Sequence, residues 1–247
     1  MENNNLKNKI IFITGASRGL GRHLCKHFGN LGLRVAALAR NIEELKSLKK
    51  EFDDMDGLLS YFPLDVTDFD GIAKAVENII NTWGSIDILI NCAGVGRGKP
   101  FDQCSKEDID VQIDTNLKGL MYVTRLVCPI MIKNRYGYVF NISSVGGTRG
   151  LPIPGAEVYS STKFGVNGFG EALFKYLNKF DVHMTTLCPG GMNTSWWGKG
   201  DYKHGDDKDI LIQPEEVANL IELILKGRPS TIFKNVIFIP RCEADEW

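Results

Sequence analysis

This chain of 247 residues lacks several features, and each absence excludes a class of protein. No apolar run approaches the ~20 residues of a membrane-spanning helix, and the polar start, residues 1–8, does not resemble a signal peptide. The formal net charge is only −1, so we expect neither nucleic acid nor a membrane surface as a partner. The six cysteines show no CxxC spacing, which indicates reduced thiols in a cytoplasmic protein.

No metal-ligand pattern is present either. His23 and His27 lie one helical turn apart, but no third ligand accompanies them, so we predict no metal site.

Short apolar runs alternate with longer helical patterns along the whole chain, which is 43% hydrophobic. Such alternation predicts an α/β fold with one domain over residues 1–247: a Rossmann-like, doubly wound parallel sheet of about seven strands with helices on both faces. Long helices are expected at Asp108–Lys133 and Glu157–Asn178. The predicted strands are Ile10–Ile13, Arg34–Ala39, Leu59–Phe62, Ile86–Ile90, Tyr138–Ile142, Val182–Leu187 and Val236–Ile239.

A glycine-rich turn follows the first predicted strand. Gly15, Gly19 and Gly21 allow a tight turn and let backbone N–H groups approach a diphosphate at the positive end of the next helix. The spacing is GxxxGxG and not the GxGxxG fingerprint, so a plain strand–turn–helix junction would also explain it. Its position before an amphipathic helix favours a bound dinucleotide.

The end of the second strand indicates which dinucleotide binds. An NAD site usually has an acidic side chain there for the ribose 2′-hydroxyl, but this strand ends Ala39-Arg40-Asn41. Arg40, together with Arg18 in the glycine turn, suits a 2′-phosphate, so NADP(H) is favoured over NAD(H). Two solvated surface arginines are the alternative. Asp65-Val66 can contact the adenine, or Asp65 can simply cap a helix.

A tyrosine and a lysine four residues apart indicate proton transfer. Tyr159 and Lys163 face the same side of a predicted helix, with Ser144 upstream at the end of a strand. A free tyrosine has a pKa near ~10, and the Lys163 charge is expected to lower that pKa by favouring the phenolate. We therefore predict hydride chemistry on a carbonyl or alcohol, with Tyr159 as the acid or base.

These motifs together resemble the short-chain dehydrogenase/reductase family in its compact form. The matching elements appear in family order along nearly the whole chain: Thr14-Gly15-xxx-Gly19-x-Gly21, Asp65-Val66, Asn91-x-Ala93-Gly94, Asn116, Ser144, Tyr159-xxx-Lys163 and Pro189-Gly190. The resemblance implies a nicotinamide cofactor and a homodimer or homotetramer. Within the family pattern, Cys92 replaces an asparagine, and Ser143 competes with Ser144 for the serine position.

The resemblance also implies roles for individual residues. The catalytic set is Asn116, which resembles a residue holding a water in a proton relay, with Ser144, Tyr159 and Lys163. The cofactor-binding set is Gly15, Ser17, Arg18, Gly19, Leu20, Gly21, Arg40, Asp65, Val66, Asn91, Ala93, Gly94, Tyr159, Lys163, Pro189, Gly190 and Thr194.

The sequence indicates the substrate less clearly than the cofactor. Residues 195–213 are predicted to form a lid over the substrate, and Arg97 or Arg149 is a candidate for binding a substrate carboxylate or phosphate. The sequence thus predicts an NADP(H)-dependent carbonyl reductase or alcohol/hydroxy-acid dehydrogenase acting on a small molecule. A 3-oxoacyl carrier-protein reductase is an alternative, and a non-catalytic nucleotide-sensing regulator is an alternative of another class.

Overall fold

A computed structural model of the protein describes residues 6–52, 58–151, 153–195 and 210–246. In these residues, seven strands form one sheet in which every neighbouring pair is parallel, in the order β3-β2-β1-β4-β5-β6-β7. This arrangement confirms the predicted fold class. The strands are β1 Ile10–Thr14, β2 Arg34–Ala39, β3 Leu59–Pro63, β4 Ile88–Asn91, β5 Gly137–Ile142, β6 Val182–Pro189 and β7 Asn235–Phe238.

Helices cover both faces of the sheet. They are α1 Gly19–Asn30, α2 Ile42–Lys50, α3 Phe69–Trp83, α4 Lys106–Ile113, α5 Leu120–Asn134, α6 Glu157–Leu177 and α7 Pro214–Lys226. Because successive strand side chains point to opposite faces, β1 sends Ile11 and Ile13 into a core with α1, α2 and α7. Its Ile10 and Phe12 enter a second core with α3 and α5. Within the described part of the chain, none of the helices has both the length and the apolarity to cross a bilayer.

The predicted single helix over Asp108–Lys133 is wrong in its middle. A π-helical turn, Asp114–Gly119, separates α4 from α5. The turn is stabilised by a tertiary contact, since the Asn116 side chain hydrogen-bonds the backbone of Val95. A π-helical turn inserts an extra residue and therefore changes which side chains face the sheet.

The strand order places a crevice beside β1. The chain builds the sheet outward in one direction from β1 to β3 and then returns to add β4 on the other side of β1. Ligands of open parallel sheets bind outside the carboxyl ends of the strands at such a reversal. The predicted site residues lie at or after the carboxyl ends of β1 to β6, so the fold gathers them along this edge.

Candidate active site

The glycine turn after β1 is shaped by close backbone contacts. Gly15 and Gly19 have φ values of +68° and +52°, in the left-handed region that favours glycine. A Cβ on Gly15 would lie 2.8 Å from the Cα of Ala93, and one on Gly21 would lie 2.3 Å from the Gly15 carbonyl oxygen. Side chains are therefore excluded where the turn meets the segment after β4.

Polar contacts join the two strands at the reversal. The Thr14 hydroxyl oxygen accepts hydrogen bonds from the N–H groups of Cys92 and Ala93, both at 3.1 Å. The Asn91 side chain points into the protein and donates to Thr124 and to Asn141, both at 2.9 Å. Asn91 thus links β4 to β5 and α5, and these contacts fix the segment that passes the glycine turn.

The beginning of α1 fits a dinucleotide diphosphate. Its N-cap residue, Arg18, makes no side-chain capping bond, and the first turn of α1 carries no acidic residue, so the positive end of the helix suits an anion. A Cβ on Gly19 would lie 3.6 Å from Thr194 and 3.8 Å from Ser195, so these residues form the facing wall. A pocket of about 420 Å³ here is lined by Gly19, Arg22, His23, Lys26, Asn193, Thr194, Ser195 and Pro214.

Arg22 is a supporting residue that sequence reasoning missed. Its guanidinium donates to the carbonyl oxygen of Ser17 at 3.2 Å and to that of Glu44 at 3.0 Å, and it pairs with Glu51. It therefore ties the glycine turn to α2. An arginine inside an amphipathic helix gives no sequence signal for such a contact.

The residues predicted for the adenosine end lie after β2 and β3. Arg40 is 63% exposed in its side chain, with Nη1 3.6 Å from the Asp65 carboxylate. Asp65 also accepts hydrogen bonds from the N–H and hydroxyl of Thr67, both at 2.9 Å, while Val66 is buried. Because an exposed ion pair contributes little, the Arg40 guanidinium can exchange Asp65 for a phosphate. Arg18 is likewise exposed.

Ser144, Tyr159 and Lys163 are brought together between β5 and α6. Ser144 lies two residues after β5. Its hydroxyl oxygen accepts a hydrogen bond from the Gly146 N–H at 3.0 Å, and the hydroxyl also hydrogen-bonds the Tyr159 phenol. Lys163 is 5% exposed, and its Nζ donates to the Ile142 carbonyl at 2.8 Å and lies 5.5 Å from the centre of the Tyr159 ring. The predicted one-turn spacing thus does place the two side chains side by side.

The competing serine has a different environment. The Ser143 hydroxyl donates to the backbone carbonyl of Lys163 at 3.3 Å, within the packing between β5 and α6. The Ser144 hydroxyl, in contrast, hydrogen-bonds the Tyr159 phenol, which favours the choice of Ser144.

Burial dominates the ionisation of the pair. Desolvation raises the pKa of Tyr159 to about 12, against an opposing effect of its hydrogen bond to Ser144. The expected lowering of the Tyr159 pKa is therefore wrong for the protein by itself, because desolvation of the phenolate outweighs the favourable interactions. Desolvation also lowers the pKa of Lys163 to about 8, while the nearby thiols of Cys92 and Cys188 act in the opposite direction.

Asn116 lies beside this group but has its side chain engaged. Its Oδ1 accepts from the Val95 N–H at 2.7 Å, and its Nδ2 donates to the Val95 carbonyl at 2.9 Å and to the Thr162 hydroxyl at 3.1 Å. Both amide hydrogens are thus used, so a water in a proton relay would have to bond the backbone of the π-helical turn. The relay role stays a prediction.

The two arginines predicted to bind the substrate lie in the segments after β4 and β5. The Arg97 Nε lies 3.8 Å from Asp108, a residue that also binds Lys99 at 2.6 Å, while Arg149 is exposed after β5. Residues 196–209 of the predicted lid lie outside the described residues. The chain on either side of that segment is paired, through a parallel bridge between Met192 and Ile212.

Comparisons with known proteins show which family the chain resembles. The family model for short chain dehydrogenases matches residues 9–203. The 3-oxoacyl-acyl-carrier-protein reductase FabG of Thermotoga maritima is 35% identical over 95% of this chain and 97% of its own length. The NADP-dependent 3-hydroxy acid dehydrogenase YdfG of Escherichia coli K12 is 33% identical over 86% of this chain and 87% of its own.

A solved structure is similar over nearly the whole fold. The closed form of serine dehydrogenase complexed with NADP⁺ superposes with a TM-score of 0.82 at 30% identity, covering 93% of this chain and 94% of that one. The chain therefore belongs to the short-chain dehydrogenase/reductase family and is an oxidoreductase.

Proposed function

We propose that this protein transfers hydride between NADP(H) and a small carbonyl or alcohol substrate, with Tyr159 as the proton donor and acceptor. The observation that carries the proposal is the contact group at the carboxyl edge of the sheet. There the Tyr159 phenol bonds Ser144, and the buried Lys163 ammonium lies 5.5 Å from the tyrosine ring.

The ionisation of the pair supports proton donation in the reducing direction. A phenol whose pKa is about 12 keeps its proton at neutral pH, so Tyr159 can donate it to a developing alkoxide. Ser144 can donate a second hydrogen bond to the same oxygen. Lys163 stays charged below its pKa of about 8 and favours the phenolate left behind. When bound, the dinucleotide supplies the hydride donor or acceptor.

Arg40 and Arg18 support the choice of NADP(H). Both guanidiniums are exposed near the carboxyl ends of β1 and β2, where the adenosine ribose of a dinucleotide lies in sheets of this type. The relative YdfG is named as NADP-dependent, and the similar serine dehydrogenase structure contains NADP⁺.

A small 3-hydroxy acid is the substrate class that we propose. The similarity to a 3-hydroxy acid dehydrogenase and to serine dehydrogenase supports it. A 3-oxoacyl carrier-protein reductase is the second candidate, because the relative with that activity matches nearly the whole of both chains. We also propose that the protein is a homodimer or homotetramer joined through α4, α5 and α6.

A substrate panel tests the proposal. NADPH consumption is measured with 3-oxo acids, 3-oxoacyl thioesters and simple aldehydes, and NADP⁺ reduction with serine and other 3-hydroxy acids. We expect turnover of the free acids to exceed that of the thioesters, and the reverse ranking would favour the second candidate. Dinucleotide binding with no turnover on any substrate would indicate a nucleotide sensor.

The Tyr159→Phe variant tests the proton donor. We expect kcat to fall by about 10²–10⁴-fold, the usual contribution of a general acid, with the Kd for NADPH unchanged within about twofold. Tyr176→Phe is the matched control, since Tyr176 is on the same helix but 51% exposed. Near-normal turnover by Tyr159→Phe would contradict the assignment.

A further inference from the structure

The C-terminal segment contains a buried carboxylate. After β7 the chain forms a 3₁₀ turn, Arg241–Glu246, in which Arg241 and Asp245 are exposed but Glu243 is only 8% exposed. A buried carboxylate is costly unless hydrogen bonds compensate its lost hydration. Glu243 accepts one from the backbone N–H of Gly191, at 3.2 Å to Oε1 and 3.4 Å to Oε2.

The turn that Glu243 contacts belongs to the predicted cofactor site. Gly190 and Gly191 directly follow β6, and the Gly190 N–H continues the strand pairing by donating to Phe238 at 2.8 Å. A Cβ on Gly190 would lie 2.4 Å from Glu243 Oε2 and 2.7 Å from Pro240. The C-terminal segment therefore packs directly against this turn, and only glycine leaves room for the carboxylate.

The position of Gly191 also determines where the residues after it lie. While its N–H donates to Glu243, its carbonyl accepts from the Ile212 N–H at 3.1 Å. Thr194 follows three residues later. It faces Gly19 across the crevice, and a Cβ on Gly19 would lie 3.6 Å from its side chain. A shift of Gly191 would thus displace the wall opposite the glycine turn.

This wall belongs to the half of the sheet that holds the second nucleotide. In a doubly wound sheet the diphosphate lies at the turn after β1, and the two mononucleotide halves lie on either side of the reversal. The adenosine half contains Arg40, after β2. The nicotinamide half therefore lies over β4, β5 and β6, where Gly190 and Gly191 are found.

We propose that Glu243 is a positioning residue, which holds the Gly190–Gly191 turn in the conformation that binds the nicotinamide end of the cofactor. The inference rests on the proposed NADP(H) function. A side chain 52 residues further along the chain would thus fix a backbone turn that consists of two glycines. Glu243 itself need not touch the cofactor.

Two ligands separate this role from a general effect on the fold. Calorimetric titration gives the Kd for NADP⁺ and for 2′-phospho-ADP-ribose, which contains the adenosine and diphosphate but no nicotinamide. For Glu243→Ala we expect the Kd for NADP⁺ to rise about tenfold, since losing a hydrogen bond to a charged group is a loss of this size. The Kd for the fragment should change by less than about twofold. Asp245→Ala, which removes an exposed carboxylate from the same turn, is the control and should change neither.

Conservative variants keep the test decisive if Glu243→Ala does not fold. Glu243→Gln keeps an acceptor oxygen for Gly191 and should bind NADP⁺ like the wild type. Glu243→Asp keeps the charge but withdraws the carboxylate by about 1.5 Å, one C–C bond, and should weaken NADP⁺ binding selectively. Equal weakening of both ligands, no weakening of either, or the opposite ranking of Gln and Asp would overturn the proposal. If the wild type binds neither ligand, the proposed function itself fails.

Discussion

The buried ammonium of Lys163 makes a testable contribution to stability. Its side chain is 5% exposed, and burial lowers its pKa from the ordinary 10.5 to about 8. The native state therefore disfavours the charged form of a group that is charged in the unfolded chain at neutral pH. Replacing Lys163 with methionine keeps an unbranched side chain of similar length and removes the charge.

The sign and size of the effect follow from the pKa values. Between pH 8 and pH 10.5 the unfolded chain binds more protons at Lys163 than the native chain, so the stability of the wild type rises with pH in this window. Below pH 8 the whole penalty is present. One pKa unit corresponds to about 1.36 kcal/mol, so the lowering of the Lys163 pKa from 10.5 to about 8 corresponds to about 3 kcal/mol. Loss of the hydrogen bond to Ile142 costs Lys163→Met about 1–2 kcal/mol at every pH.

The assay is urea unfolding of both proteins at one protein concentration, at pH 7, 8, 9 and 10. We expect the stability of Lys163→Met relative to the wild type to be greatest at pH 7 and 8 and to fall by about 2–3 kcal/mol by pH 10. Lys74→Met on α3 is the control, because Lys74 is exposed and its ammonium is hydrated in both states. A Lys163→Met difference that does not vary with pH would refute the reasoning.

Three further substitutions test the cofactor site and its support. Arg40→Ala should weaken NADPH binding about tenfold in fluorescence titrations, because a hydrogen bond to the 2′-phosphate is lost, and should leave NADH binding almost unchanged. Stability should also be almost unchanged, because the ion pair of Arg40 with Asp65 is exposed. Equal losses for both dinucleotides would exclude a 2′-phosphate contact. Gly21→Ala should lower the free energy of unfolding by about 1–3 kcal/mol in urea, because the alanine Cβ would lie 2.3 Å from the Gly15 carbonyl oxygen. Alanine usually favours helices, so a stabilised variant would contradict this clash. Asn116→Ala should lower the free energy of unfolding by about 3 kcal/mol, since the N–H and the carbonyl of Val95 both lose their hydrogen bonds to the Asn116 side chain. A loss below 1 kcal/mol would show that the π-helical turn does not depend on these hydrogen bonds.

The sheet could be predicted from the sequence because its central strands are buried on both faces, although β3 and β7 at its edges are only partly buried. Each central strand is then a short apolar run, such as Ile10–Thr14, and the alternation with amphipathic helices specifies a parallel sheet. The π-helical turn could not be predicted in this way. It depends on the contact of Asn116 with Val95, which is 21 residues away, and no local preference encodes that contact.

At the site, too, relations between neighbouring residues can be predicted and contacts between distant residues cannot. The sequence identifies Tyr159 and Lys163, because residues one helical turn apart lie side by side on a helix. The contact of Glu243 with Gly191 spans 52 residues and follows only from the path of the chain after β7. The direction of the Tyr159 pKa shift was also not predictable, since it depends on burial and spacing contains no information on burial.

Burial of the catalytic pair connects stability with function. The environment that raises the pKa of Tyr159 and lowers that of Lys163 makes both charged forms unfavourable in the protein alone. Because the effective dielectric constant is low there, the same environment strengthens any interaction of a charge formed during reaction. A neutral side chain at position 163 would relieve the penalty, so the stability of the fold does not account for an ammonium at this place. If Lys163→Met is more stable at neutral pH and yet loses turnover, the charge serves the reaction at the expense of stability, as is common for residues of active sites.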